Sequence, residues 1–107
     1  MAFRISKSKI HGKGVFSTHH LQKGESVGEA IVYEWWGPFP IPVITNELGV
    51  WINHSYHPNT ILEWRSMDGR PKVWHLVTLE PVAAGEELTV DYEHTPWYIE
   101  GARPHYV

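Results

Sequence analysis

A chain of 107 residues fits one domain, and at that size a single small core makes each large side chain matter. Hydrophobic residues make up 42% and six are tryptophan, which excludes a disordered chain, while the absence of cysteine excludes disulfides, thiolate zinc sites and a cysteine nucleophile. The formal net charge is −3, and the only basic cluster, Lys7, Lys9 and Lys13, is too sparse to track phosphates, so direct nucleic-acid binding is not expected.

Along the chain, IHGKGVFST reads as a turn and then a strand, with Gly12, Gly14 and Gly24 punctuating the first quarter. GESVGEAIVYEWW is β-branched and aromatic, which predicts a strand or strand pair ending at Gly37 and Pro38. Prolines at 38, 40 and 42 forbid a helix or a central strand over GPFPIPVI and leave an extended edge or a loop. TNELGVWINHS holds the one plausible helical turn, with Thr45 or Asn46 as its cap and Gly49 interrupting it, so 3₁₀ geometry or a single turn is expected. TILEWRS and KVWHLVTLE alternate as two antiparallel strands, joined through MDGRP with its Asp-Gly turn signal. PVAAGEE predicts a turn before a short strand ELTVDY, and the tail EHTPWYIEGARPHYV reads as coil. The sum is a mostly β domain of short strands with long loops.

No stretch has the apolar core of a signal peptide, and none approaches the roughly 20 apolar residues that span a bilayer. A soluble, non-secreted protein of the cytoplasm or nucleus, without membrane contact, is therefore the expectation. His54 and His57 form an HxxH pair, but no carboxylate or third histidine stands at matching spacing, so no metal is expected. The NHS at 53 to 55 also spells an N-glycosylation acceptor, which would need secretion.

Three segments carry the chemistry: GKG at 12 to 14, NHSYHPN at 53 to 59 and GEELTVDY at 85 to 92, followed by Trp97. In that order they resemble the SET-domain methyltransferases, especially the very small SET domains of large DNA viruses that lack cysteine-rich flanking modules. The resemblance runs from about Ile5 to Trp97 and makes residues 1 to 107 a single SET domain. It implies a β-clip fold whose C-terminal segment threads under a loop as a pseudoknot. The implied activity is lysine N-methylation with S-adenosylmethionine as methyl donor and S-adenosylhomocysteine as product, in a host cell if the protein is viral.

On that resemblance, Gly12 and Gly14 let the backbone approach the methionine part of the cofactor, and Lys13 contributes backbone groups. Asn53 holds the cofactor's amino acid end, the backbone of His54 reads the adenine edge, Ser55 and Asn59 brace the loop, and Trp97 stacks on adenine. Tyr92 is the expected catalytic residue: in-line attack of a neutral amine on a sulfonium methyl needs alignment above all, and a phenol oxygen can supply it. Asp91 is expected to fix the loop rather than act as a base. Tyr33, Trp35, Trp36, Tyr98 and Tyr106 are candidate walls of a lysine channel, although aromatic residues more often serve as core, and Glu34, Glu63 and Asp68 could steer a cationic substrate.

Between the second strand and NHS, only PFPIPVITNELGVWI fills the space where other SET domains carry a longer insert that walls the peptide groove. A groove that short calls for a second subunit, so a homodimer is expected, or else for a small polyamine as substrate. Val90 stands where many relatives carry Phe or Tyr, and Leu62 also lacks a phenol, which leaves room for a methylated amine to turn. A lysine in a protein, plausibly a histone tail, is the leading substrate; a polyamine and a non-catalytic β-clip binding module are the alternatives.

Overall fold

The computed structural model describes residues 2–66, 69 and 72–94. Eight strands form in chain order: β1 (Phe3–Lys7), β2 (Lys13–Ser17), β3 (Ser26–Trp36), β4 (Phe39–Ile44), β5 (Asn53–His54), β6 (Thr60–Arg65), β7 (Val73–Thr78) and β8 (Glu87–Val90). Two short 3₁₀ turns, Gly49–Trp51 and Tyr92–His94, are the only helical pieces among the described residues. The strands build two four-stranded sheets, β1-β2-β8-β5 and β4-β3-β7-β6. The fold is mostly β, as the sequence predicts.

The larger sheet is wholly antiparallel, and its layout follows from local chemistry. β3 and β4 are joined by Gly37 and Pro38 alone, with Trp36 paired to Phe39. Because prolines donate no hydrogen bond, β4 can only be an edge strand, and it is. β6 and β7 pair in strict register from Thr60↔Thr78 to Arg65↔Val73, which places Leu62, Leu76, Trp64 and Trp74 on one face. Leu62, Leu76 and Ile31 lie in the core, whereas Trp64, farther along the same face, is exposed. The core thus runs out into an aromatic end.

The smaller sheet carries the motifs. β1 and β2 form a hairpin around the glycine segment, β8 lies antiparallel to β2, and β5 joins β8 in parallel through Asn53↔Thr89 and His54↔Val90. Val15, Leu21, Ala30, Ile31, Leu76, Val82 and Leu88 are fully buried where the sheets meet. β1 arises from FRISK, a run that composition does not single out; its register with β2, from Phe3↔Ser17 to Lys7↔Lys13, supplies the pairing.

Two local expectations are corrected. ELTVDY is a strand only to Val90, after which Tyr92 opens a 3₁₀ turn. Gly49 starts the expected 3₁₀ turn instead of interrupting one. A Cβ on Gly49 would run into the carbonyl oxygen of Ala30 and stand 2.6 Å from Ile44 Cγ2, so the turn packs directly on the β3 backbone. Thr45 rather than Asn46 serves as its polar anchor: its hydroxyl donates to Glu29 O at 2.8 Å and accepts from Gly49 N at 2.9 Å. The C-terminal segment of the expected pseudoknot lies outside the described residues. Gly49→Ala should lower stability by about 1–3 kcal/mol through overpacking, seen as a lower urea midpoint at unchanged slope.

Candidate active site

The turn that joins β1 to β2 is folded around one hydroxyl. Ser8 N donates to Gly12 O at 2.8 Å, and Ser8 Oγ accepts from Ile10 N at 2.9 Å. Gly12 sits at φ +48° with open space where a side chain would start, so its role is the left-handed turn itself. Gly14 is the opposite case. It is buried, and a Cβ there would meet the Glu87 carboxylate and lie 3.0 Å from Asn53 Nδ2. The room that glycine leaves at 14 is therefore taken by Glu87, at the start of β8.

Asn53, on β5, is 1% exposed, so its amide must find its partners inside the protein. Its Nδ2 stands 3.0 Å from His11 O, 3.2 Å from Lys13 O, 3.1 Å from Ser8 Oγ and 2.9 Å from Glu87 Oε2. Ser8 Oγ in turn donates to the Glu87 carboxylate at 2.8 Å. One amide thereby ties the glycine turn, β5 and β8 together. Asn59 adds a second tie to β8, donating to Glu87 O and accepting from Thr89 N, both at 2.9 Å. Its side chain behaves as a further piece of strand, and Thr60 Oγ1 donates to Thr89 O beside it. Ser55 shapes the loop itself: its N donates to Val90 O and its Oγ accepts from His57 N.

Tyr92 is 2% exposed, and its hydroxyl donates to Ile52 O at 2.6 Å, one residue before Asn53. With its hydrogen committed there, the phenol oxygen can act toward other groups only as an acceptor. His54 packs against the Tyr92 ring at 5.2 Å and accepts from Tyr92 N through Nδ1 at 3.0 Å. An accepting Nδ1 carries no proton, so the ring is neutral with its hydrogen on Nε2. The 3.9 Å separation of His54 Nδ1 and Asp91 Oδ1 is therefore a neighbour contact and not an ion pair. Asp91 Oδ1 accepts from Glu93 N at 2.9 Å, a loop-fixing role.

Of the residues singled out in the sequence, the structure brings Gly12, Lys13 and Asn53 into one hydrogen-bonded cluster with Gly14 packed against it, and places His54 and Val90 beside it on β5 and β8 and Tyr92 in the 3₁₀ turn that follows. Val90 and Leu62 are buried in the core. Tyr33 and Trp35 line a groove of about 730 Å³ at the aromatic end of the larger sheet, with Trp64, Pro40, Val32, Val73, Glu29 and Lys72. Tyr33 accepts from Trp74 Nε1 at 3.1 Å and meets the Trp64 ring edge-on at 5.7 Å. Glu34 and Trp36 alternate with them along β3, are exposed, and do not line this groove, nor does Tyr92. Glu63 is exposed and pairs with Arg65 at 2.8 Å. Asp68, Trp97, Tyr98 and Tyr106 lie outside the described residues. Among the described residues no cluster of three or more ligating side chains could hold a metal.

Sequence reasoning missed Ser8 and Glu87. Glu87 lies inside the quoted GEELTVDY, but a lone acidic residue before a strand reads as a solvated end, and only the missing Cβ at Gly14 marks where it points. Trp64 is legible in the sequence as a strand residue and not as a groove wall.

Residues 42–93 match the profile of the SET domain. The chain superposes on the crystal structure of a candidate histone methyltransferase from Plasmodium falciparum with a TM-score of 0.69 and 22% identity, over 90% of this chain and 96% of that one. The fold is a SET fold. No curated protein matches the chain by sequence. The SET match covers Asn53, Asn59, Glu87 and Tyr92 but not the glycine turn, whose bonds to Asn53 and Glu87 attach it to the matched part. Asn59→Ala should cost about 1–3 kcal/mol, because it strands a carbonyl and an N–H of β8. Asn59→Asp should restore only part of it, since a carboxylate can still accept from Thr89 N but would face Glu87 O with no hydrogen to donate; thermal melts of the two variants give the comparison.

Proposed function

We propose that this chain is an S-adenosylmethionine-dependent N-methyltransferase whose substrate is a lysine side chain of a protein, plausibly a histone. The SET match, the SET fold and the description of the Plasmodium falciparum neighbour as a candidate histone methyltransferase support the class. The observation that carries the reading is the bond from Tyr92 to Ile52 O: it sets the phenol one residue from Asn53, so the aligning oxygen and the glycine turn share one end of β5.

The residues present suit such a cofactor. Gly12 leaves open space beside the turn, Gly14 lets the Glu87 carboxylate come in against the backbone, and several oxygens converge on Asn53 there. When bound, the cofactor supplies a methyl on a positively charged sulfur. Asn53 and the carbonyls of His11 and Lys13 would hold its amino acid end. Tyr92 would accept from the incoming amine and orient its lone pair, while the neutral His54 ring keeps the Tyr92 backbone in place. A free lysine with a pKa of about 10.4 must lose its proton first, at a cost of roughly 3 kcal/mol at pH 8, so a dry aromatic approach that favours the neutral amine would help.

The aromatic groove of Tyr33, Trp35 and Trp64 supports a channel-wall role for those residues, with a second subunit completing the abbreviated peptide site. The brevity of that site is also what supports kinship with the small viral SET domains. A small polyamine would need less of a wall, and methylation of spermidine but not of histones would favour that second reading. Asn53→Ala should abolish calorimetric binding of S-adenosylmethionine. Tyr92→Phe should bind it within a few-fold of wild type yet lose about a hundredfold or more in kcat; loss of binding in Tyr92→Phe, or full binding in Asn53→Ala, rejects the assignment. Because Val90 and Leu62 carry no phenol, mass spectrometry under excess cofactor should show more than one methyl added.

A further inference from the structure

Four oxygens, His11 O, Lys13 O, Ser8 Oγ and Glu87 Oε2, stand within 3.2 Å of the single nitrogen Asn53 Nδ2. That nitrogen has only two hydrogens, so it serves at most two of these oxygens at once; Ser8 Oγ also accepts from Ile10 N, and the Glu87 carboxylate from Ser8 Oγ. One of them belongs to a half-buried carboxylate that, among the described residues, has neutral donors, Ser8 and Asn53, and no ion-pair partner. A corner rich in acceptors and carrying an uncompensated negative charge is built for a cation with several N–H groups. The glycine turn that borders it bears no side chain at 12 or 14 to close it off.

Resting on the reading that the chain binds S-adenosylmethionine, we propose that Glu87, steadied by Ser8, is the charged group that selects the primary ammonium of the cofactor's amino acid end. Like charge keeps the cofactor's own carboxylate out of this corner, so Glu87 also fixes which way round that end enters. Gly14 is glycine because the selecting carboxylate occupies the place of its Cβ. Ser8 is a positioning residue: its hydroxyl holds the carboxylate while its acceptor side closes the turn.

The test is calorimetry with S-adenosylhomocysteine and with its analogue lacking only the α-amino group, on wild type and Glu87→Gln. Wild type should bind the amine-free analogue about 10- to 100-fold more weakly, the worth of a hydrogen bond to a charged group. Glu87→Gln should weaken S-adenosylhomocysteine by a similar factor and barely change the analogue, so that the two deletions are not additive. Ser8→Ala should give a smaller loss with discrimination retained. Equal wild-type affinity for both ligands overturns the proposal without any variant, and so does tighter binding by Glu87→Gln, which would make the carboxylate a plug that withdraws on loading. Both results leave the methyltransferase reading standing. Wild type that binds neither ligand overturns that reading and this proposal together.

Discussion

Burying the Asn53 amide is the constraint on which the rest of this fold turns. A primary amide sealed from water costs free energy unless its hydrogens find oxygens. Here the oxygens come from a turn near the start of the chain and from a strand near the end of the described part. Satisfying one side chain therefore requires three distant segments to meet, and where they meet is the place where chemistry is proposed. A threonine or leucine at 53 could fill the volume but would join nothing to the glycine turn.

The same logic governs the neighbouring residues. His54 serves the Tyr92 backbone, Tyr92 serves the Ile52 carbonyl and Asn59 serves β8, so each polar group at this end is both held and holding. Networks of this kind are favourable only when complete. That explains how a small core tolerates so many polar groups, Thr45, Thr60, Thr78 and Thr89 among them, without a matching excess of apolar surface.

Much of the architecture could be read directly from residue order. Alternation and the Asp-Gly signal located β6 and β7, and the prolines of GPFPIPVI placed β4 at an edge, because each rests on a property of one residue type or one period. The motif trio pointed to the SET fold and to Asn53 and Tyr92 as neighbours. What escaped was of another kind. Ser8 and Glu87 matter because of what they face across two strands, and nothing within either segment records that. Gly49 looked like a breaker because its crowding comes from Ala30 on a different strand. The end of β8 was overrun by two residues since Asp91 and Tyr92 keep the β pattern while their side chains recruit the next turn.

The parallel join of β5 to β8 has a consequence for how the molecule comes into being. Everything from β6 through β7 lies in the loop that this join closes, so the entropic cost of closure is lowest once that hairpin has already shortened the chain. The hairpin is local and can form early; the junction is remote and comes afterwards. A nascent or half-denatured chain thus holds the larger sheet and its aromatic groove first, and the cluster around Asn53 is assembled only with the last long-range contact.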